Sequence, residues 1–242
     1  MKKKILSLAL VVALIAIMVG GSLAYFTDND QVTNTFTIGS VKIEIYENNK
    51  ATDDETVKFE EPLVPVVDMM NPSTDDGYIE KAIKVYNEGL NDAYIRTHVA
   101  IPTVLKEYLL LNPNLSEVGW KQVAITEAQK DGVDYTVYTY DYLEAVKPDT
   151  YTPDLLRGVY LASYVDLEEA SNGDLYFVIR NKHGEITDRS GYLAHAKNAD
   201  GTYTCKGVNI LVASQAIQAQ GFKNGATDAL NTGFGANTNP WA

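Results

Sequence analysis

Cysteine occurs once, at Cys205, so no disulfide can form within the chain. Stability has to come from a packed core instead. Histidine occurs three times, at His98, His183 and His195, and none belongs to an H-E-x-x-H pair. That removes the most specific sequence signature of a zinc protease. No G-x-S-x-G elbow is present, which removes the nucleophile signature of the α/β-hydrolases. Basic residues are few: 20 Lys and Arg stand against 32 Asp and Glu, a net charge of −12. Phosphate neutralisation needs clusters of Lys and Arg, so general binding to nucleic acid is excluded and bare anionic lipid is repelled. No segment repeats with a period of roughly 20–50 residues, which sets aside solenoids and propellers.

Long apolar runs are scarce too, and the one that exists lies at the N-terminus. Lys2, Lys3 and Lys4 precede an apolar stretch from Ile5 to Val19 that is interrupted only by Ser7. As a helix this stretch rises about 22 Å, short of a hydrocarbon core roughly 30 Å thick. Gly20 and Gly21 end the helical tendency, and Ser22-Leu23-Ala24 puts small residues at the minus-three and minus-one positions of a cleavage site. The pattern predicts a secretory signal helix over residues 1–24, cut between Ala24 and Tyr25. Losing three lysines leaves 17 basic residues against 32 acidic ones, a net charge of −15. Such a charge favours solubility and makes close self-association sensitive to salt and pH.

From Tyr25 onward the chain reads as mainly β. A ten-residue, mostly polar arm from Tyr25 to Asn34 comes first. Phe36, Ile38, Val41, Ile43 and Ile45 then mark a strand whose phase shifts at Gly39-Ser40, as at a bulge. Tyr78–Asn87 and "AYIRTHVAI" read as two more strands, and the turn "EGLND" between them predicts a hairpin. In the later strand Ile95, Thr97, Val99 and Ile101 share one face; Tyr94, Arg96 and His98 share the other. The spacing of Val104, Leu105, Tyr108 and Leu109 predicts a short helical insertion within about 103–123. Further strands follow in "DYTVYTYDYLEAV", "GVYLASYVDL", "LYFVIRN" and "VNILVASQAI", separated by turn-rich segments such as "SNGD" and "NADG". The expectation is one antiparallel β-sandwich over residues 35–230, with a flexible tail over 231–242.

Candidate chemistry is thin. His183 lies in the turn "NKHGE" and His98 in mid-strand, so no three-histidine zinc set is expected. Cys205, in "YTCKG", has no evident base beside it and reads as a half-buried strand residue. Asp53-Asp54-Glu55 and Asp75-Asp76 offer oxygens of the kind calcium takes, yet neither matches an EF-hand loop, and both read as solvated turns. The tyrosines of "YTVYTYDY" suit stacking on sugar, but tyrosine is equally a good strand former. No catalytic residue, metal ligand or cofactor is assigned.

The segment "VGGSLAYFTDNDQVTNTFTIGSVKIEI" resembles the start of the TasA/camelysin family, whose members are processed by a SipW-type signal peptidase. "IEKAIKVYNEGLNDAYIRTHV", "LLRGVYL" and "VNILVASQAIQAQGF" resemble later family motifs, though each alone is weak. The resemblance implies a jelly-roll-like sandwich secreted by a Gram-positive bacterium, which polymerises with itself into fibres of the biofilm matrix or cell surface. It leaves room for other matrix proteins or polysaccharide as partners. It also implies that the N-terminal arm of one subunit completes the sheet of the next. An exposed sheet edge carries unpaired N–H and C=O groups that a donated strand can satisfy. The arm, with Tyr25, Phe26 and Val32 as its apolar anchors, spans roughly 33 Å when extended, enough to reach a neighbour. Two other functions stay open at this level: a non-assembling surface adhesion module, and a camelysin-like metalloendopeptidase.

Overall fold

The alternation of apolar and polar residues becomes sheet almost throughout. The computed structural model describes residues 27–30, 41–48, 50–51, 56–58, 63–115 and 118–241, with 27–30 and 56–58 described as backbone. The signal helix, the cleavage site and the Gly39-Ser40 bulge lie outside the described residues.

Three antiparallel sheets form. Sheet A contains β1 (Thr27–Asp30), β4 (Thr56–Lys58), β6 (Ala93–Pro102), β8 (Trp120–Lys130), β9 (Val133–Val146) and β16 (Asn209–Gln218). Its order is β1-β16-β6-β9-β8, with β4 also on β16. Sheet B contains β2 (Ile43–Glu47), β3 (Lys50–Ala51), β5 (Tyr78–Asn87), β7 (Leu109–Pro113), β10 (Thr150–Tyr151) and β11 (Leu156–Leu161). Its order is β3-β2-β5-β11-β7, with β10 also on β5. Sheet C is a meander of β12 (Val165–Glu169), β13 (Leu175–Arg180), β14 (Ile186–Lys197) and β15 (Tyr203–Cys205).

Sheets A and B enclose one apolar core. Ile43, Ile83 and Val85 from sheet B meet Ile95, Val99, Ile210 and Val212 from sheet A, and Phe177 and Ala194 of sheet C join the same cluster. The chain crosses between A and B at β1–β2, β3–β4, β4–β5, β5–β6, β6–β7, β7–β8 and β9–β10, the alternation of a jelly-roll-like sandwich. The tight β8–β9 hairpin is local: Asp131 and Gly132 both take positive φ, 52° and 79°, which suits the right-handed twist of paired strands.

One expectation needs correction and another is narrowed. Tyr78–Asn87 and Ala93–Pro102 are strands, but they do not form a hairpin, since β5 lies in sheet B and β6 in sheet A. Buried Asn87 makes the corner. Its amide donates to the carbonyls of Asn91 and Val146, both at 2.9 Å, and its side-chain oxygen accepts from the Gly89 amide. Within 103–123 the short helical insertion is, among the described residues, the 3-10 turn Thr103–Leu105, after which β7 pairs with β11 and β8 begins. The helical spacing also reflects packing beyond that turn: Leu105, Tyr108 and Leu109 are all buried, and the Tyr108 hydroxyl donates to Asp188 on β14 at 2.8 Å.

The α-helix of the described chain is α1 (Ala226–Phe234), which overlaps the segment read as the start of a flexible tail. That segment is packed. Ala226, Ala229 and Leu230 of α1 are buried with Ile217 of β16, and Trp241 packs with Ala100, Tyr135, Val137 and Leu211.

Candidate self-assembly edge

The sequence of β16, "NILVASQAIQ", is apolar on both faces because both faces are covered. Ile210, Val212 and Ala216 enter the main core; Leu211 and Ile217 pack beneath the C-terminal segment. Along one side β16 pairs with β6 from Leu211↔Ala100 to Gln218↔Ala93. Along its other side lie two short strands. β4 pairs over Asn209–Leu211, and β1 pairs over Ser214–Ile217 in the register Thr27↔Ile217, Asp28↔Ala216, Asn29↔Gln215 and Asp30↔Ser214. Thr27–Asp30 of the N-terminal arm is therefore an edge strand on its own chain, with a ladder about 13 Å long.

Several polar side chains beneath this edge are paired internally. On the core side the hydroxyls of Thr97 and Ser214 lie 2.9 Å apart. On the outer side His98 and Arg96 of β6 are fully buried. His98 Nε2 donates to Gln215 Oε1 at 3.1 Å, and its Nδ1 accepts from the Thr139 hydroxyl at 3.0 Å. Burial pushes this imidazole down from 6.5 to about 4, against the opposing pull of the Gln215 hydrogen bond. Arg96 forms a two-pronged pair with Asp141, Nε to Oδ1 at 2.7 Å and Nη2 to Oδ2 at 3.0 Å. Its remaining donors reach into the C-terminal segment, to Asn231 Oδ1 at 2.8 Å and the Gly235 carbonyl at 2.7 Å.

Of the residues assigned from sequence, Ala24, Tyr25, Phe26 and Val32 lie outside the described residues, while the backbone of 27–30 between them occupies the β16 edge. The three histidines stay apart in role: His98 is buried in sheet A, His183 is exposed in a turn, and His195 sits on β14. Across the β14–β15 ladder His195 is the register partner of Cys205, a pairing that spacing alone did not show. Tyr135, Tyr140 and Tyr142 are buried and present no ring for a sugar. Asp75 accepts from the Gly77 and Val67 amides at 3.0 and 2.7 Å, which holds its carboxyl below the usual range; it shapes a turn. Asp53-Asp54-Glu55 lies outside the described residues. Sequence analysis missed Asn231, Gly235, Asn239 and Trp241. The spacing of Ala226, Ala229 and Leu230 between Gly225 and Gly235 was the available signal for a short amphipathic helix.

Fold and edge together define the class: a mainly β, antiparallel sandwich whose edge is completed by an N-terminal arm. Residues 1–72 match the family described as camelysin metallo-endopeptidase, the family that includes TasA. The match supports the resemblance seen in the residues and takes in the arm and β1. No curated protein and no solved structure matches the chain. The description implies a metal. A catalytic zinc takes three protein ligands, and among the described residues no group of three or more His, Cys, Asp or Glu is placed to hold one. The metal has no seat among those residues.

Proposed function

We propose that the protein is a secreted fibre subunit of an extracellular or biofilm-type matrix, released by cleavage after Ala24, whose arm leaves its own sheet to complete the sheet of the next copy. One observation supports this above the rest: Thr27–Asp30 is a short terminal strand on the β16 edge, held there through backbone pairing. A neighbouring copy offers the same register, so exchange breaks and remakes the same ladder. Exchange of an identical element is a low-cost route to association, and head-to-tail exchange gives open filaments. The partner is thus a second copy of the chain, after a signal peptidase of the SipW type has freed the arm.

Among the described residues the buried alternation is first seen at Val41, beyond the arm, so the arm is expected to leave the core strands intact. A chain beginning at Thr35 is expected to keep its circular dichroism and melting transition and to stay monomeric. Asn29→Pro is expected to block growth by removing a ladder donor opposite Gln215. Filaments of unchanged width from the truncated chain would reduce the arm to a bystander. A truncated chain that cannot fold would make the arm a fixed part of its own sheet.

A further inference from the structure

Sheet A has a second edge. β8 has eleven residues, contains no proline, and pairs with β9 on one side; among the described residues no strand lies on its other side. Its side chains alternate in exposure, and Ile125 is 57% exposed. A long strand of this kind is a template for another chain unless something blunts it.

The C-terminal segment crosses the outer face of sheet A from the β16 edge to this one. It starts with α1 over Ile217 and is clamped in mid-course by Arg96 through Asn231 and Gly235. Trp241 then covers Ala100 and Tyr135, with its ring 6.3 Å from that of His98. At the far end, buried Asn239 has every amide group in use. Nδ2 donates to the Thr126 hydroxyl at 2.9 Å and to the Glu127 carbonyl at 3.3 Å, and Oδ1 accepts from the Trp241 amide at 3.0 Å. Thr126 and Glu127 lie midway along β8.

We propose that the segment Ala226–Trp241 is an edge guard that blocks the addition of a second copy at β8, so that self-association is confined to the β16 edge. Its Asn239 occupies the outward carbonyl of Glu127, where an incoming strand would place an N–H, and its Trp241 keeps the adjoining apolar face dry. A sheet guarded on one side and exchangeable on the other grows in a line; with both edges open it also grows sideways.

The test uses the chain from Tyr25 carrying Asn29→Pro, which removes arm-driven growth and keeps this inference separable from the fibre reading. Adding Asn239→Ala and Trp241→Ala is expected to convert a monomer into concentration-dependent larger species in sedimentation velocity. Glu127→Pro is then expected to restore the monomer, because the Glu127 N–H points the same way as its carbonyl in an antiparallel ladder. Asn239→Asp keeps the volume but loses the donor, so it decides the matter if the double substitution unfolds. Loss of two hydrogen bonds should speed carboxypeptidase removal of Trp241 about tenfold or more, with the same self-association. A released segment with a chain that stays monomeric at every concentration overturns the proposal, as does association that Glu127→Pro leaves unchanged.

Discussion

Asp141→Asn removes one charge from the buried pair and almost no volume. Both side chains of the Arg96–Asp141 pair are wholly excluded from solvent. The guanidinium would keep Asn231 and the Gly235 carbonyl, two neutral acceptors, and lose the carboxylate that balances its charge. Breaking a buried pair from one side costs about 3–5 kcal/mol, mostly for the charge left stranded. The two remaining acceptors place this case at the lower end, about 3 kcal/mol. With an unfolding slope of roughly 2–3 kcal/mol per molar urea for a chain of this size, the midpoint should fall by about 1–1.5 M. Urea titration followed by circular dichroism and by the fluorescence of Trp120 and Trp241 reads the shift. The double substitution Arg96→Met with Asp141→Leu strands no charge, so it should lie nearer the wild type than Asp141→Asn does. A fall below about 0.3 M for Asp141→Asn would mean that water reaches Arg96, and that the C-terminal segment does not seal the outer face of sheet A.

Further outcomes follow from the same structure. His98 is held neutral in the fold and titrates near 4 rather than 6.5, so its contribution to stability is full above pH 6.5 and is lost as pH falls toward 4; the loss should reach roughly 3 kcal/mol, and a pH profile that His98→Gln does not flatten contradicts it. Gly158 stands at a register shift in β11, where an added Cβ would lie 2.5 Å from the Ile79 carbonyl and also meet the Tyr78 ring. Gly158→Ala should therefore cost about 1–3 kcal/mol and lower the melting temperature by several degrees; an unchanged melt would show that β11 yields freely. In the proposed fibre, copies cut after Ala24 would carry 17 basic against 32 acidic residues and repel one another over a Debye length of about 10 Å at 0.1 M salt, so growth should speed with salt or as pH falls toward about 4, and turbidity indifferent to both would place the acidic groups far from the contacts. Purified protein is expected to carry no stoichiometric zinc and to leave casein intact; one zinc per chain, with cleavage lost on replacing His98, His183 or His195, would assign the activity that the family description names.

Strand positions were legible because burial on one face leaves a period of two in the residues. "YIEKAIKVYN" and "AYIRTHVAI" became β5 and β6 over nearly the expected bounds. Their partners were not legible. A turn such as "EGLND" can close a hairpin or cross a sandwich, and the choice rests on Asn87, whose side chain finds Val146, 59 residues away. Leu105, Tyr108 and Leu109 looked helical for a related reason: a turn that buries three nearby side chains repeats the spacing of one helical face.

Composition and local pattern alone determined that the chain is acidic, free of internal disulfides and mainly β. Those properties depend on residue type and on neighbours within a few positions. Tertiary structure decided where the arm pairs, which edge of sheet A stays open, and what the end of the chain covers. Backbone pairing carries no side-chain code, so nothing in "TDND" names β16 as its partner. The same holds for the C-terminal "NTGFGANTNPWA", whose glycines and asparagines mimic a solvated tail. Arg96, distant in sequence, supplies the donors that Asn231 and the Gly235 carbonyl accept, and only the assembled sheet brings them together.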